Sequence, residues 1–261
     1  KRILIDGEKY FKISHHDVMR PFFMSIVSDS NHWMFISSNG GLTAGRKNAE
    51  HALFPYYTDD KVTESAEITG SKTLIRVQSG GKTKLWEPFS VRSEGYYQTT
   101  RNLYKSFFGN KIIFEEINHD LGLSFRYRWS FSNKFGFVRE ARLENISEEE
   151  TYISLVDGLQ NILPASVNPD LQNSASNLVD AYKRNELSEK TGLGLYALSA
   201  IIVDKAEPSE ALKANIVWSF GLEKAVHLLS GLQLDKFRKG QALEQEIDVK
   251  AEKGAYFLHS E

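Results

Sequence analysis

The chain has 261 residues, 32 Lys and Arg against 34 Asp and Glu, and a formal net charge of −2 with histidine neutral. Hydrophobic residues make up 41 % and aromatics 12 %, enough to fill the core of one large domain or of two smaller ones. The evenly mixed charge excludes a phosphate-neutralising basic stripe, and no apolar run approaches the ~20 residues that cross a bilayer, so neither nucleic acid nor membrane is expected as a partner.

Period-2 patterning begins at once. Two short apolar-alternating runs flank Asp6-Gly7, a dipeptide that tolerates the positive φ of a tight hairpin turn. Runs at 22–27, 32–37 and 63–68 read as further strands. Residues 73–79 continue through Gly80-Gly81 to Trp86 as a second hairpin, and 96–100, 103–108 and 111–118 follow, with a turn at Gly109-Asn110. The cleanest strand is 123–131: Leu123, Phe125, Tyr127, Trp129 and Phe131 share one face, and Ser124, Arg126, Arg128 and Ser130 the other. The run Phe135 to Leu143 continues the alternation with Phe137, Arg139 and Ala141 on its first face. Strand-like runs recur at 151–157, 193–203, 212–220, 245–250 and 255–259. One buried and one wetter face is the pattern of antiparallel sheet. With no helices alternating with the strands, the reading is an all-β fold, a large two-sheet antiparallel sandwich in a single domain spanning 1–261.

One segment breaks the pattern. Residues 168–187 carry Leu171, Leu178, Val179, Tyr182 and Leu187 near helical spacing, and Asn168-Pro169 is a reasonable helix start, so one helix is predicted on a long connection. Residues 222–229 read as a second short helix or as strand plus turn. Glu148, Glu149 and Glu150 read as a solvated turn.

The absence of cysteine removes disulfides, thiolate nucleophiles and Cys-type metal sites. Seven histidines are scattered, and the adjacent pair His15-His16 would point to opposite faces of a strand, so no metal or cofactor is expected. No nucleophile motif is present. The carboxylate pairs Asp59-Asp60, Glu115-Glu116 and Glu140 with Glu144 read as solvated edge charges, and no catalytic residue is assigned. Lys1 to Gly7 lacks the apolar core of a signal peptide, which points to the cytoplasm. Sugars are held by aromatic rings stacked on their C–H faces and by planar polar groups on their hydroxyls. Gly45 to Asp60 and Lys84 to Phe89 supply both, and Arg46, Tyr56, Tyr57, Asp59 and Trp86 are the candidate carbohydrate-binding residues. The simpler reading of the same rings is ordinary sandwich core.

The order of segments resembles a known family. WMFISSNGGLTAGRKNAEHALFPYYTDD (33–60), KLWEPFS (84–90), YYQTTRNLYKSFFGNKIIFEEINH (96–119) and FGFVREARLENISEEE (135–150) are similar, in that order, to the N-terminal region of family 94 glycoside phosphorylases, the cellobiose and chitobiose phosphorylase group. The resemblance covers roughly residues 20–160, and 158–192 has no counterpart in it. It implies a super-sandwich of galactose-mutarotase-like topology, followed in a longer chain by an α/α barrel that holds the catalytic acid. It further implies a non-catalytic module of a glycoside phosphorylase or hydrolase, serving domain packing, homodimer formation and sugar contact, with Arg46, Tyr56, Tyr57 and Asp59 carried over by position. Two alternatives stay open. A self-contained aldose 1-epimerase-like or sugar-binding protein would need a His and a carboxylate in one cleft, for which His119 with Glu115 or Glu116 are available. An adhesion sandwich with no sugar role would need neither.

Overall fold

A computed structural model describes residues 1–200 and 213–261. The alternating segments become strands. β1 (Arg2–Ile5) and β2 (Glu8–Ser14) close through Asp6 and Gly7 at φ 50° and 78°, the two positive values a two-residue hairpin needs. β3 (Phe23–Ile26), β4 (His32–Ser37) and β5 (Leu42–Arg46) form a meander and lead to the helix α1 (Asp59–Glu64). β6 (Gly70–Ser79) and β7 (Lys82–Trp86) turn on Gly80 and Gly81, both at positive φ. A longer meander follows: β8 (Thr99–Ser106), β9 (Ile112–Asn118), β10 (Leu123–Ser132) and β11 (Gly136–Asn145). β12 (Tyr152–Ile162) precedes helices α2 (Pro169–Ser174) and α3 (Ser176–Tyr182), then β13 (Lys183–Ser188) and β14 (Leu193–Leu198). The last elements are β15 (Asn215–Val217), β16 (Val226–Leu228), α4 (Leu234–Arg238), β17 (Asp248–Lys250) and β18 (Gly254–Ser260).

Among the described residues these strands make four sheets. Their orders are β1-β2-β8-β9-β10-β11, β16-β18-β12-β6-β7, β15-β14-β13-β17 and β3-β4-β5. Every strand pairing among the described residues is antiparallel, and the helices are few and short, so the fold is all-β. The main core draws on all four sheets: Phe125, Tyr127 and Trp129 of β10, Ile75 and Val77 of β6, Met34 and Ile36 of β4, and Tyr196 of β14. Each large apolar side chain buried there contributes about 1.5–3 kcal/mol. The alternation in β10 is realised, with Leu123 to Trp129 inward, and its partner β11 sets Arg139 opposite Trp129 on the same face. No helix among the described residues is long and apolar enough to cross a membrane.

Three expectations are corrected. Residues 63–68 are not a strand: they end α1 and continue as a 3-10 turn over Ser65–Glu67. Asp59 and Asp60 occupy the first turn of α1, where carboxylates complement the helix dipole, and Val62 is its buried residue. Residues 96–108 hold one strand, Thr99–Ser106, rather than two. The turn after it spans 107–110, closed by the Ser106 N–H donating to the Lys111 carbonyl at 3.0 Å. The helix over 168–187 breaks at Ala175 and stops at Tyr182, and residues 183–188 form β13 instead. Of 222–229 the strand-plus-turn alternative holds, as β16. The parts of runs 193–203 and 212–220 at 201–203 and 212 lie outside the described residues.

Candidate functional site

The predicted sugar contacts scatter. Trp86 is 0 % exposed and offers no ring face; its indole N–H donates to Glu116 Oε1 at 2.7 Å, so it is a core residue rather than a stacking surface. Arg46 ends β5 directly opposite His32, on the sheet face away from the Gly45 and Trp33 pair. Tyr56 is exposed and packs edge-on against Trp33 at 5.7 Å, with its backbone N–H donating to Gln172 of α2 at 3.0 Å. Trp33 in turn lies 6.0 Å from the exposed Phe35. Tyr57 sits under the Lys61 ammonium, and burial, then the charge of Asp180, raise its hydroxyl pKa. Asp59 is exposed at the start of α1. Tyr56 therefore joins Trp33 and Phe35, while Arg46 and Trp86 stand elsewhere.

Glu115 and Glu116 point to opposite faces of β9, as their spacing requires, but neither is solvated. Glu116 is 0 % exposed and accepts from Trp86, from the Phe89 backbone N–H at 2.7 Å and from Arg101 at 2.6 Å. Glu115 accepts from Tyr104 at 2.5 Å, Asn102 at 2.7 Å and Arg126 at 2.5 Å. Burial alone would raise the Glu115 carboxyl; the Tyr104 hydrogen bond and the Arg126 charge outweigh it and hold the pKa below its ordinary value. His119 lies just past the end of β9, exposed and bonded to Thr100 at 2.8 Å. At about 3.3 Å per strand residue it is ~10 Å from Glu116 and farther from Glu115, so the three do not share one site.

A ligand-sized opening lies on the other side of Trp86. Leu85, Glu87, Arg92, Ser93, Tyr96, Tyr97 and Arg238 line an open pocket of about 340 Å³. Its wall is built locally. Ser90 accepts the Arg92 N–H at 3.1 Å and so caps the 3-10 turn Val91–Ser93, while Gly95 takes φ 76° before the two tyrosines. Tyr97 is fixed by donating its hydroxyl to the Leu85 carbonyl at 2.8 Å, whereas Tyr96 is 79 % exposed and presents a free ring.

Glu87 and Arg238 of the pocket lining belong to a largely buried ion cluster. Arg238 of α4 grips Glu87 with two hydrogen bonds, 2.7 and 3.0 Å, across 151 residues of sequence. Lys72 of β6 reaches Glu87 at 3.1 Å and Glu67 at 2.8 Å, and Glu67 also accepts from Ser90 and from the Val91 N–H. Burial works to raise the Glu87 carboxyl, but the Arg238 hydrogen bonds and the Lys72 charge prevail and keep it ionised below its ordinary range. Arg238 is raised in turn by its bonds to Glu87. Such a carboxylate holds its place and its charge; it is not poised to give up a proton.

Tyr96 and Tyr97, close after Arg92, repeat the aromatic-beside-charge signal that singles out Lys84 to Phe89, but 96–100 reads as strand and the signal is hidden there. Among the described residues no three His, Asp or Glu side chains are grouped to hold a metal ion. No protein-family model matches the chain, and a search of curated proteins finds no relative.

Proposed function

We propose that this chain is a non-catalytic β-sandwich module of a carbohydrate-active enzyme, its sheets arranged as the super-sandwich of the family it resembles, with a saccharide site in the Tyr96–Tyr97 pocket. The pocket itself carries the reading: about 340 Å³, two tyrosines, two arginines and one carboxylate on a rigid sheet edge. An exposed ring beside fixed polar groups suits a sugar, which is apolar on its C–H faces and polar at its rim. The non-catalytic part rests on Glu87, which Arg238 and Lys72 hold as a paired anion.

Packing against a further domain is supported by a second surface. Phe11, Phe107 and Phe108 are all exposed and in ring contact, Phe11 with Phe107 at 5.9 Å and Phe107 with Phe108 at 5.6 Å. Exposed Val27 joins them through its N–H to the Gly109 carbonyl at 3.1 Å. A contiguous exposed apolar patch of this kind marks an interaction surface, and the α/α barrel implied by the resemblance is the partner proposed for it.

Calorimetric titration with cello- and chito-oligosaccharides tests the saccharide site. Binding is expected, and Tyr96→Ala is expected to weaken it about tenfold, worth ~1.4 kcal/mol. Absence of binding to any saccharide, or an unchanged affinity in the variant, would overturn the reading.

A further inference from the structure

We infer that the pocket selects an acidic saccharide, the carboxylate of a uronate residue being held by Arg92; this rests on the saccharide reading above. The one carboxylate lining the pocket, Glu87, is already satisfied. Glu67 and Glu87 share Lys72, Glu87 also takes Arg238, and the nearby Asp235 is bonded to Arg238 at 2.6 Å. Arg92 lines the pocket, is exposed, and makes no ion pair among the described residues. Its backbone is fixed by the Ser90 cap, so its guanidinium projects from an ordered turn rather than a loose loop.

A second cation lies on the neighbouring strand, outside the pocket lining. Arg76 stands directly opposite the pocket residue Leu85 in the β6–β7 register. Its guanidinium lies 6.0 Å over the Phe237 ring and packs so closely on Gly240 that a Cβ there would fall 2.6 Å from Nη2. It too makes no ion pair among the described residues. The lining carboxylate Glu87 is thus paired twice, while Arg92 lines the same opening without an ion pair among the described residues. A planar carboxylate matches the two-pronged donor geometry of arginine, which a sugar hydroxyl does not. The Ser93 hydroxyl oxygen accepts the Glu87 N–H at 3.2 Å and leaves its own O–H to donate to a ring hydroxyl, with Tyr96 under the C–H face.

The test is a matched titration of the chain with oligogalacturonate, with the neutral galactose oligomer of the same length, and with inorganic phosphate. The uronate is expected to bind about tenfold more tightly than its neutral counterpart, a difference that Arg92→Ala abolishes and Arg92→Lys restores only in part. Higher ionic strength should shrink the same difference. Arg92 is exposed, so the variant's thermal unfolding should match that of the parent chain. Equal affinity for the two oligomers, or a preference that survives Arg92→Ala, overturns the acidic-saccharide inference and leaves the saccharide reading standing. Displacement of the uronate by phosphate at equal concentration overturns it as well, showing a plain anion site. Failure of both oligomers and of the neutral cello- and chito-oligosaccharides to bind brings down the saccharide reading itself.

Discussion

Glu116 shows what alternation tells about a residue and what it withholds. Its spacing from Glu115 fixes opposite faces, which holds, but the sign of the environment on each face depends on strands brought in from elsewhere. On the inner face the partners are Trp86, the Phe89 backbone and Arg101, none of them within ten residues along the chain. Removing one member of such a buried set leaves the others without a partner, so Glu116→Ala should cost about 3–5 kcal/mol in urea unfolding. A loss of under ~1 kcal/mol would mean the site relaxes and admits water. His16 makes a second case. It is buried against the edge of Phe114, its Nε2 has no partner among the described residues, and burial lowers its pKa from 6.5 to about 4. The unfolded chain then binds a proton that the folded chain refuses, so stability falls as pH drops through the window between those two values. The loss amounts to about 3 kcal/mol. His16→Gln should flatten the change in urea midpoint between about pH 7 and about pH 4.5. An equal loss in the variant would place the acid sensitivity elsewhere.

The hairpins were legible as elements because their turns and their inward faces are both written in residue type: Asp6-Gly7 and Gly80-Gly81 sit at the two-residue loops, and β10 keeps large apolar groups inward without a break. β13 was not legible for the complementary reason. It alternates strictly, but its inward residues are Lys183, Asn185 and Leu187, so polar side chains occupy core positions and the hydropathy pattern vanishes. Lys183 is held by its near neighbour Asp180 at 2.6 Å, whereas Asn185 donates to the carbonyls of Leu229 and Glu252, distant partners that no local pattern announces. The helical segment before it was half legible. Asn168 accepts the Leu171 N–H at 2.8 Å as a true N-cap, with Pro169 in the first turn. Asn168→Ala should cost about 1 kcal/mol in thermal or urea unfolding. Because Gln172 on α2 accepts the Tyr56 N–H, the same change should loosen the Tyr56 loop, seen as faster amide exchange at Tyr56. Unchanged exchange there would show that the loop is held independently of α2.

At the scale of the whole molecule, charges at core positions bolt the sheets to one another. Arg139 of β11 meets Asp157 of β12 through two bonds of 2.8 Å, so the edge of the six-stranded sheet is fixed to the middle of the five-stranded one. The alternation placed Arg139 on the first face of its strand, beside Phe137 and Ala141; only the fold supplies Asp157. The candidate site has the same character. Its tyrosines are visible in the chain, but the ion cluster that its Glu87 and Arg238 form with Lys72 comes together only when β6, the end of β7 and α4 are assembled.

That assembly makes Lys72 the place to test whether charge or packing holds the cluster. Burial raises both Glu67 and Glu87; Lys72 is the leading force lowering the first and acts after the Arg238 hydrogen bonds on the second, and both carboxyls end below the ordinary value of 4.5. A carboxylate with a depressed folded pKa adds stability that is present above the unfolded pKa and lost as pH falls through the folded one. Lys72→Met keeps most of the buried stem and removes the charge. The two carboxyls should then titrate at higher pH, and the acid-unfolding midpoint, followed by tryptophan fluorescence, should move upward. At neutral pH the cost should stay under the ~3–5 kcal/mol of a fully orphaned pair, since Arg238 still serves Glu87 while Ser90 and the Val91 N–H still serve Glu67. A fall in neutral-pH stability with no movement of the acid midpoint would assign Lys72 a packing role and leave the ionisation of Glu87 to Arg238.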